Sequence, residues 1–265
     1  MKDVSFEDQY KSLIDKVVNF GTRRVGRNGE TLSIFGSTLG FDLQYGTLPI
    51  ITGRKMFTKG VLGEYAAIVR GPKNIQDFEM WGCNYWKTWA EPETGKIRVD
   101  YGNKWRDFNG FMQLEWLLEE IRNNPTSRRL LLSSWDPSNL VNLDLPCCHY
   151  MYQFYVRDGH LDMMWHQRSA DLMVGVPSDA LFAAAMLLSF AGATDLKPGK
   201  CTMFFGDTHI YKEHYSKAID YRYSDHFDAP KYEFKRRSHP QLFIPSDLKI
   251  LDHSYGPTIK FELKA

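Results

Sequence analysis

Cysteine is scarce in this chain: four residues in 265, Cys83, Cys147, Cys148 and Cys201. Two of them are sequence neighbours that cannot easily bridge each other, which disfavours a disulfide scaffold and fits a reducing, cytoplasmic setting. Metal-ligand spacing is missing too, with no C-x-x-C and no H-E-x-x-H, so no metal is expected. Charge of one sign does not accumulate: 33 Lys and Arg face 32 Asp and Glu, a net +1. That balance excludes a general electrostatic affinity for nucleic acid or an acidic membrane, and leaves any anionic ligand to a few local arginines. Long apolar runs are absent. The longest, residues 180–193, is too short for a membrane span and reads as a core helix. The opening Met1-Lys2-Asp3-Val4-Ser5 enters an amphipathic pattern with no apolar signal-peptide core. Repeats, linkers and low-complexity segments are lacking, so one α/β (α+β) domain over residues 1–265 is the simplest account.

What is present reads as follows. Ser5 and Asp8 form a capping pair before Phe6, Tyr10, Leu13, Ile14, Val17 and Val18, which recur at helical spacing up to Gly21. Residues 22–30, with Arg23, Arg24 and Arg27 around glycines, read as a solvated basic loop, and residues 31–43 as strands broken at Gly36 and Gly40. Residues 58–69 are helical, and Glu64 within them is expected on the exposed face. The aromatic cluster from Tyr85 to Trp89 reads as core. Residues 101–106 read as a turn, 111–122 as a helix ending before Pro125, and 130–135 as a buried strand preceded by Arg128 and Arg129. Residues 201–205 read as a strand, 206–211 as a turn leading to a short helix, and 241–251 as extended.

The chemistry concentrates between Pro146 and Asp179. Pro146-Cys147-Cys148-His149 enters an aromatic strand carrying Gln153, and Asp158-Gly159 offers a tight turn into residues 161–165. The returning strand ends in Gln167-Arg168-Ser169-Ala170-Asp171, and Gly175-Val176-Pro177-Ser178-Asp179 opens a long apolar helix. A nucleophilic thiol, an anion-binding guanidinium and a carboxylate thus crowd together.

Cys148-His149 with Gln153, Q-R-S-A-D at 167–171 and G-D-T-H-I-Y at 206–211 resemble the thymidylate synthase family. The resemblance runs from the first helix to the last residues and takes in Arg27, Glu64, Trp86, Trp89, Tyr101-Gly102 and Ser127-Arg128-Arg129. It implies a three-layer fold around a mixed sheet that also forms a homodimer interface. It further implies a phosphate held by Arg27, Arg168 and Ser169, joined by Arg128 and Arg129 from the other subunit, a use suited to bidentate guanidinium forks. His209 and Tyr211 would hold the sugar 3'-hydroxyl, with Gln167 also on the substrate side. Cys148 would add to pyrimidine C6, because C5 is a poor nucleophile until the ring becomes enamine-like; its thiolate needs a lowered pKa, which Arg168 would help supply. Cys147 would only pack. Glu64 would be the general acid/base through water, with Tyr101 and His149 beside it. The cosubstrate would be 5,10-methylenetetrahydrofolate, its pterin met by Asp171 and its surround made by Trp86, Trp89, Val174 and Gly175.

Two departures from the family pattern bear on substrate and product. Family members acting on dUMP carry asparagine where this chain has Asp179, and an ionised carboxylate accepts from a cytosine amino group but repels uracil O4. That change is similar to phage deoxycytidylate hydroxymethylases and implies dCMP as substrate, with a host cytoplasm as the setting. Ser178 replaces a usual phenylalanine, and Phe261-Glu262-Leu263-Lys264-Ala265 is a polar ending; both imply a wetter site, water addition and 5-hydroxymethyl-dCMP. The alternatives are dCMP methylation with release of dihydrofolate, conventional dTMP synthesis, and an idle nucleotide- or RNA-binding relative.

Overall fold

The computed structural model describes residues 4–264; Met1, Lys2, Asp3 and Ala265 lie outside the described residues. Helix α1 (Phe6–Phe20) starts where expected, with Ser5 Oγ accepting the Asp8 N–H at 3.1 Å, and stops at Gly21. Its buried Glu7 accepts from the Gly53 N–H at 2.8 Å, tying α1 to the segment before α2 (Thr58–Ile68).

A six-stranded sheet in the order β1-β2-β6-β5-β4-β3 forms the centre. Its strands are β1 (Thr22–Gly26), β2 (Gly29–Asp42), β3 (Leu131–Ser133), β4 (His149–Arg157), β5 (His160–Asp171) and β6 (Lys197–Tyr211). Pairing is antiparallel except between β5 and β6, so the sheet is mixed. That parallel pair needs a crossover, which α6 (Gly175–Ala193) supplies. The β4–β5 hairpin closes through Asp158 and Gly159, both at positive φ (48° and 72°), the conformation that a two-residue hairpin turn demands.

Helix α6 lies on β5 and β6, and α2 packs on α6 from the other side, giving sheet, helix and helix in three layers. By length and composition α6 could cross a membrane, with mean hydropathy 1.5, but 83% of that window is buried inside the protein. It is the core helix that the sequence suggests, made longer by the turn from Gly175. Alternate residues of β5, Leu161, Met163, Trp165 and Gln167, face this core. The opposite face leaves Tyr155 and Met164 exposed.

Around the sheet stand α3 (Gln76–Glu79), α4 (Tyr101–Arg106), α5 (Gln113–Asn123), α7 (Tyr215–Arg222) and the pair β7 (Lys231–Phe234) and β8 (Leu248–Leu251). Several local expectations are corrected. Residues 22–30 are a hairpin, not a loop, because the all-exposed basic strand β1 pairs with β2 at the sheet edge. Strand β2 is unbroken: Gly36 takes φ 79° while the register with β6 holds on both sides of it. Residues 206–211 continue β6; Gly206 is there because a Cβ would lie 2.7 Å from the Arg168 carbonyl oxygen, not to make a turn. Residues 101–106 form a helix, whose Gly102 packs so tightly that a Cβ would stand 1.5 Å from the Ile68 carbonyl oxygen. The expected 130–135 strand is shorter, Leu131–Ser133, with Leu130 and Ser134 adding one backbone bond each to β4, and residues 241–251 contain short 3-10 turns before β8.

Candidate active site

Cys148 stands at the mouth of the β4–β5 hairpin, half-buried, with its carbonyl accepting the Arg168 N–H at 2.8 Å. Its own N–H donates to the Tyr101 hydroxyl at 2.9 Å, which joins α4 to the hairpin. The Arg168 side chain donates from Nε to the Cys147 carbonyl and from Nη2 to the Pro146 carbonyl, each at 2.8 Å. The guanidinium is thereby held over the entrance and left exposed. Burial pushes the Cys148 thiol above its ordinary range, and the Arg168 charge opposes that push. The expected lowering is thus not met: the arginine reduces a burial penalty without reversing it. Cys147 is 1% exposed and packs in the core.

His149 is buried against the Tyr101 ring at 4.6 Å and the Trp165 ring at 4.3 Å, with Nδ1 on the Tyr152 hydroxyl. Burial lowers it to about 3, so it is neutral at pH 7.

Glu64 is not on the exposed face expected of it. Its carboxylate is enclosed between Tyr85 Oη, donating to Oε2 at 2.7 Å, and Trp86 Nε1, donating to Oε1 at 2.7 Å. Burial raises it to about 7, and the two donors oppose the rise. The aromatic cluster is thus core and carboxylate holder together, with Trp86 and Trp89 at 5.3 Å between ring centroids.

On β5 the buried Gln167 amide accepts from Trp165 Nε1 at 2.9 Å and donates to the Ser169 carbonyl at 2.9 Å and to Asp179 Oδ2 at 2.8 Å. The indole can only donate, so it fixes the amide orientation and makes Asp179 Oδ2 an acceptor. Asp179, one turn into α6, is raised to about 8, chiefly by burial and further by the charges of Glu64 and Asp171. This shift favours the neutral acid at pH 7, and the Gln167 donor on Oδ2 leaves Oδ1 as the place for its proton.

Asp171 ends β5, its Oδ1 accepting from the Met173 N–H at 2.9 Å and the Val174 N–H at 3.4 Å just before Gly175 begins α6. Burial raises its carboxyl, with His209 and His214 opposing. In β6, His209 Nδ1 meets Asp207 Oδ1 at 3.0 Å and its ring stands 5.2 Å from the Tyr211 ring. Ser169 pairs with Asp207 across the parallel strands. The β1–β2 tip brings Arg27 and Asn28 toward Tyr211, whose hydroxyl feels both together with Cys148.

One chain therefore draws together Cys148, His149, Tyr101, Glu64, Trp86, Trp89, Gln167, Arg168, Ser169, Asp171, Val174, Gly175, Asp179, His209, Tyr211 and the Arg27 loop. Arg128 and Arg129 stay apart, both exposed. In the register of Leu131 with Gln153, Arg129 falls level with Tyr155, about 23 Å along β4 from Cys148 at strand rise. Sequence reading missed Tyr85, Trp165 and Tyr152, the partners that fix Glu64, Gln167 and His149. The aromatic run at 85–89 was the only visible signal for the first.

A thiol just before β4 thus stands beside a guanidinium and within the field of two carboxyls, Asp179 and Asp171, whose proton affinity is raised by burial. The chain matches the family described as Thymidylate synthase over residues 8–265 and belongs to it. At the level of that family it is a transferase that moves a one-carbon unit from a folate to C5 of a pyrimidine nucleotide.

Proposed function

We propose that the substrate is dCMP and the product 5-hydroxymethyl-dCMP, formed with 5,10-methylenetetrahydrofolate. The observation that carries this reading is Asp179, half-buried near the start of α6 with Oδ2 held as an acceptor by Gln167; its surroundings favour the neutral acid, with the proton on Oδ1. With Oδ2 toward the ring 4-position it accepts from the cytosine amino group, while Oδ1–H donates to N3. When ionised it still accepts from the amino group and repels uracil O4. A buried polar mismatch costs about 1–3 kcal/mol, enough to choose the base.

In this reading the Cys148 thiolate forms the bond to C6, and a phosphate bound by Arg168, Ser169 and Arg27 keeps the ring in place. Tyr101 holds the Cys148 backbone, and His209 and Tyr211 take the sugar hydroxyl. Glu64, poised near neutrality, accepts and returns protons through water as the C5 proton leaves. Folate, when bound, supplies the one-carbon unit. Residues suited to hold it are Trp86, Trp89, Val174, Gly175 and Asp171, which keeps Oδ1 on two backbone N–H groups and has its other oxygen for a ligand. Water rather than hydride completes the product, favoured by the small Ser178, whose Oγ turns to the Val174 carbonyl at 3.3 Å. The tail's Lys264, paired with Glu213 at 3.4 Å, adds to a polar border. The last residue of the polar ending, Ala265, lies outside the described residues.

Arg128 and Arg129, remote from their own Cys148, suit a second copy's phosphate, and the exposed Tyr155 and Met164 on the open sheet face suit a homodimer contact. Four unpaired thiols suit the cytoplasm. The test is tritium release from C5-labelled dCMP and dUMP side by side, with methylenetetrahydrofolate, followed by product mass. Release mainly from dUMP returns the chain to dTMP synthesis; release from dCMP with a methyl product and dihydrofolate replaces hydroxymethylation by methylation.

A further inference from the structure

We propose that Tyr85 is a positioning residue of the active site, a fixed donor that holds the Glu64 carboxylate in place and sets the protonation state in which it meets substrate and water. This rests on the reading of Glu64 as the acid/base group. Tyr85 and Trp86 are consecutive residues of one 3-10 turn, Tyr85–Trp89, and each takes a different oxygen of the same carboxylate at 2.7 Å. Their backbone spacing therefore fixes the two donor positions, and with them the Glu64 rotamer. Each carboxylate oxygen retains acceptor capacity for water or substrate.

The two donors are not equivalent. An indole N–H can only donate, so Trp86 cannot follow Glu64 when it takes up a proton. A phenol can rotate and accept. Tyr85 is thus the partner that fits both states, donating to the carboxylate and accepting from the acid at the same oxygen. The phenol itself does not ionise near neutrality, since burial and the Glu64 charge push it well above its ordinary value. Cys83 lies beside the same hydroxyl, and its thiol is raised by burial and by Glu64, so it too stays neutral. Asp179 on α6 also feels the Glu64 charge, and burial favours its neutral form. Among these neighbours only Tyr85 and Trp86 favour the ionised form of Glu64, against the burial that opposes it.

The test reads Glu64 directly in the free protein, by NMR titration of δ-13C-glutamate with the Glu64 signal assigned from its loss in Glu64→Gln. In the parent protein the expected midpoint is about 7. Tyr85→Phe removes a donor to the charged form, so the midpoint moves up by about one pH unit, a tenfold change in the ionisation constant. Replacing Tyr85 with 3-fluorotyrosine keeps the shape, strengthens the donor and moves the midpoint down; this variant carries the test if Tyr85→Phe fails to fold by circular dichroism. Midpoints that stay put in the folded variants overturn the proposal. The pH limb of kcat/KM, measured on whichever nucleotide the enzyme turns over, separates the two readings. A limb that moves with the midpoint supports both. A midpoint that moves under a stationary limb supports the hold of Tyr85 on Glu64 and removes Glu64 from the acid/base role.

Discussion

The Gln167 side chain donates to Asp179 Oδ2 at 2.8 Å while its carbonyl is held by Trp165 at 2.9 Å, so the amide cannot turn over to serve the other base. Asp179→Asn keeps that pattern, its carbonyl on Gln167 and its NH2 in place of the Oδ1 hydroxyl, whereas Asp179→Leu removes both groups. The expected outcome is a dCMP preference retained in Asp179→Asn and weakened in Asp179→Leu by roughly 10- to 100-fold, from about 1–3 kcal/mol of polar matching. Competitive tritium release from the two nucleotides measures it, and an unchanged ratio in Asp179→Leu would show that Asp179 does not read the base.

Asp179 and Glu64 also make stability depend on pH. Their carboxyls are raised by burial, to about 8 and about 7, so the folded chain binds these protons more tightly than the unfolded chain. Their contribution is full below the ordinary carboxylate range and is lost as pH rises through 7 and then 8. Thermal unfolding should therefore move to lower temperature between pH 5 and pH 9, and an Asp179→Asn, Glu64→Gln double variant should flatten that decline. An equal slope in both proteins would mean that the two acids titrate normally.

In the proposed mechanism turnover requires the Cys148 sulfur. Cys148→Ala should abolish turnover and covalent capture of a 5-fluoropyrimidine nucleotide with folate, while nucleotide binding by calorimetry persists. Full activity in that variant would sink the covalent mechanism.

Arg168→Lys keeps the charge and loses the fork that spans the Cys147 and Pro146 carbonyls. Charge-assisted hydrogen bonds of this kind are each worth roughly 1.5–3 kcal/mol. Nucleotide KM should rise about tenfold or more, with a smaller change in kcat. A KM within twofold of the parent would remove Arg168 from the phosphate site.

Gly102→Ala should destabilise strongly, by about 1–3 kcal/mol or more, because its Cβ would fall 1.5 Å from the Ile68 carbonyl oxygen and α4 would have to move. Since α4 carries Tyr101, activity should fall further than stability alone explains. Urea unfolding beside kcat distinguishes the two effects.

The hairpin turn at Asp158-Gly159, the capping Ser5 and the long α6 were legible because each depends on nearby residues. Glu64 was not. It is the one carboxylate of α2, and the donors that make its burial tolerable lie 21 and 22 residues away, with nothing local to announce them. Gly206-Asp207 reads as a turn by composition, yet the glycine answers to a neighbouring strand's carbonyl, a tertiary fact. Strand β1 hid for the opposite reason: every residue is exposed, so no alternation marks it. The positions of Cys148, Gln167, Arg168 and Asp171 along the hairpin arms were foreseen by pattern, whereas the thiol's raised proton affinity depends on how much of the fold encloses it.

Cys148 and Arg168 stand at the open end of a hairpin closed by a two-residue turn, and their backbone bond needs only that local pairing. Glu64 and His209 come from segments far on either side. The folding order that follows is local first and distant last, since loop closure costs grow with chain separation. By that rule a folding chain is expected to bring its sulfur and its guanidinium together early, and to gain the proposed proton-handling carboxylate only when α2 docks.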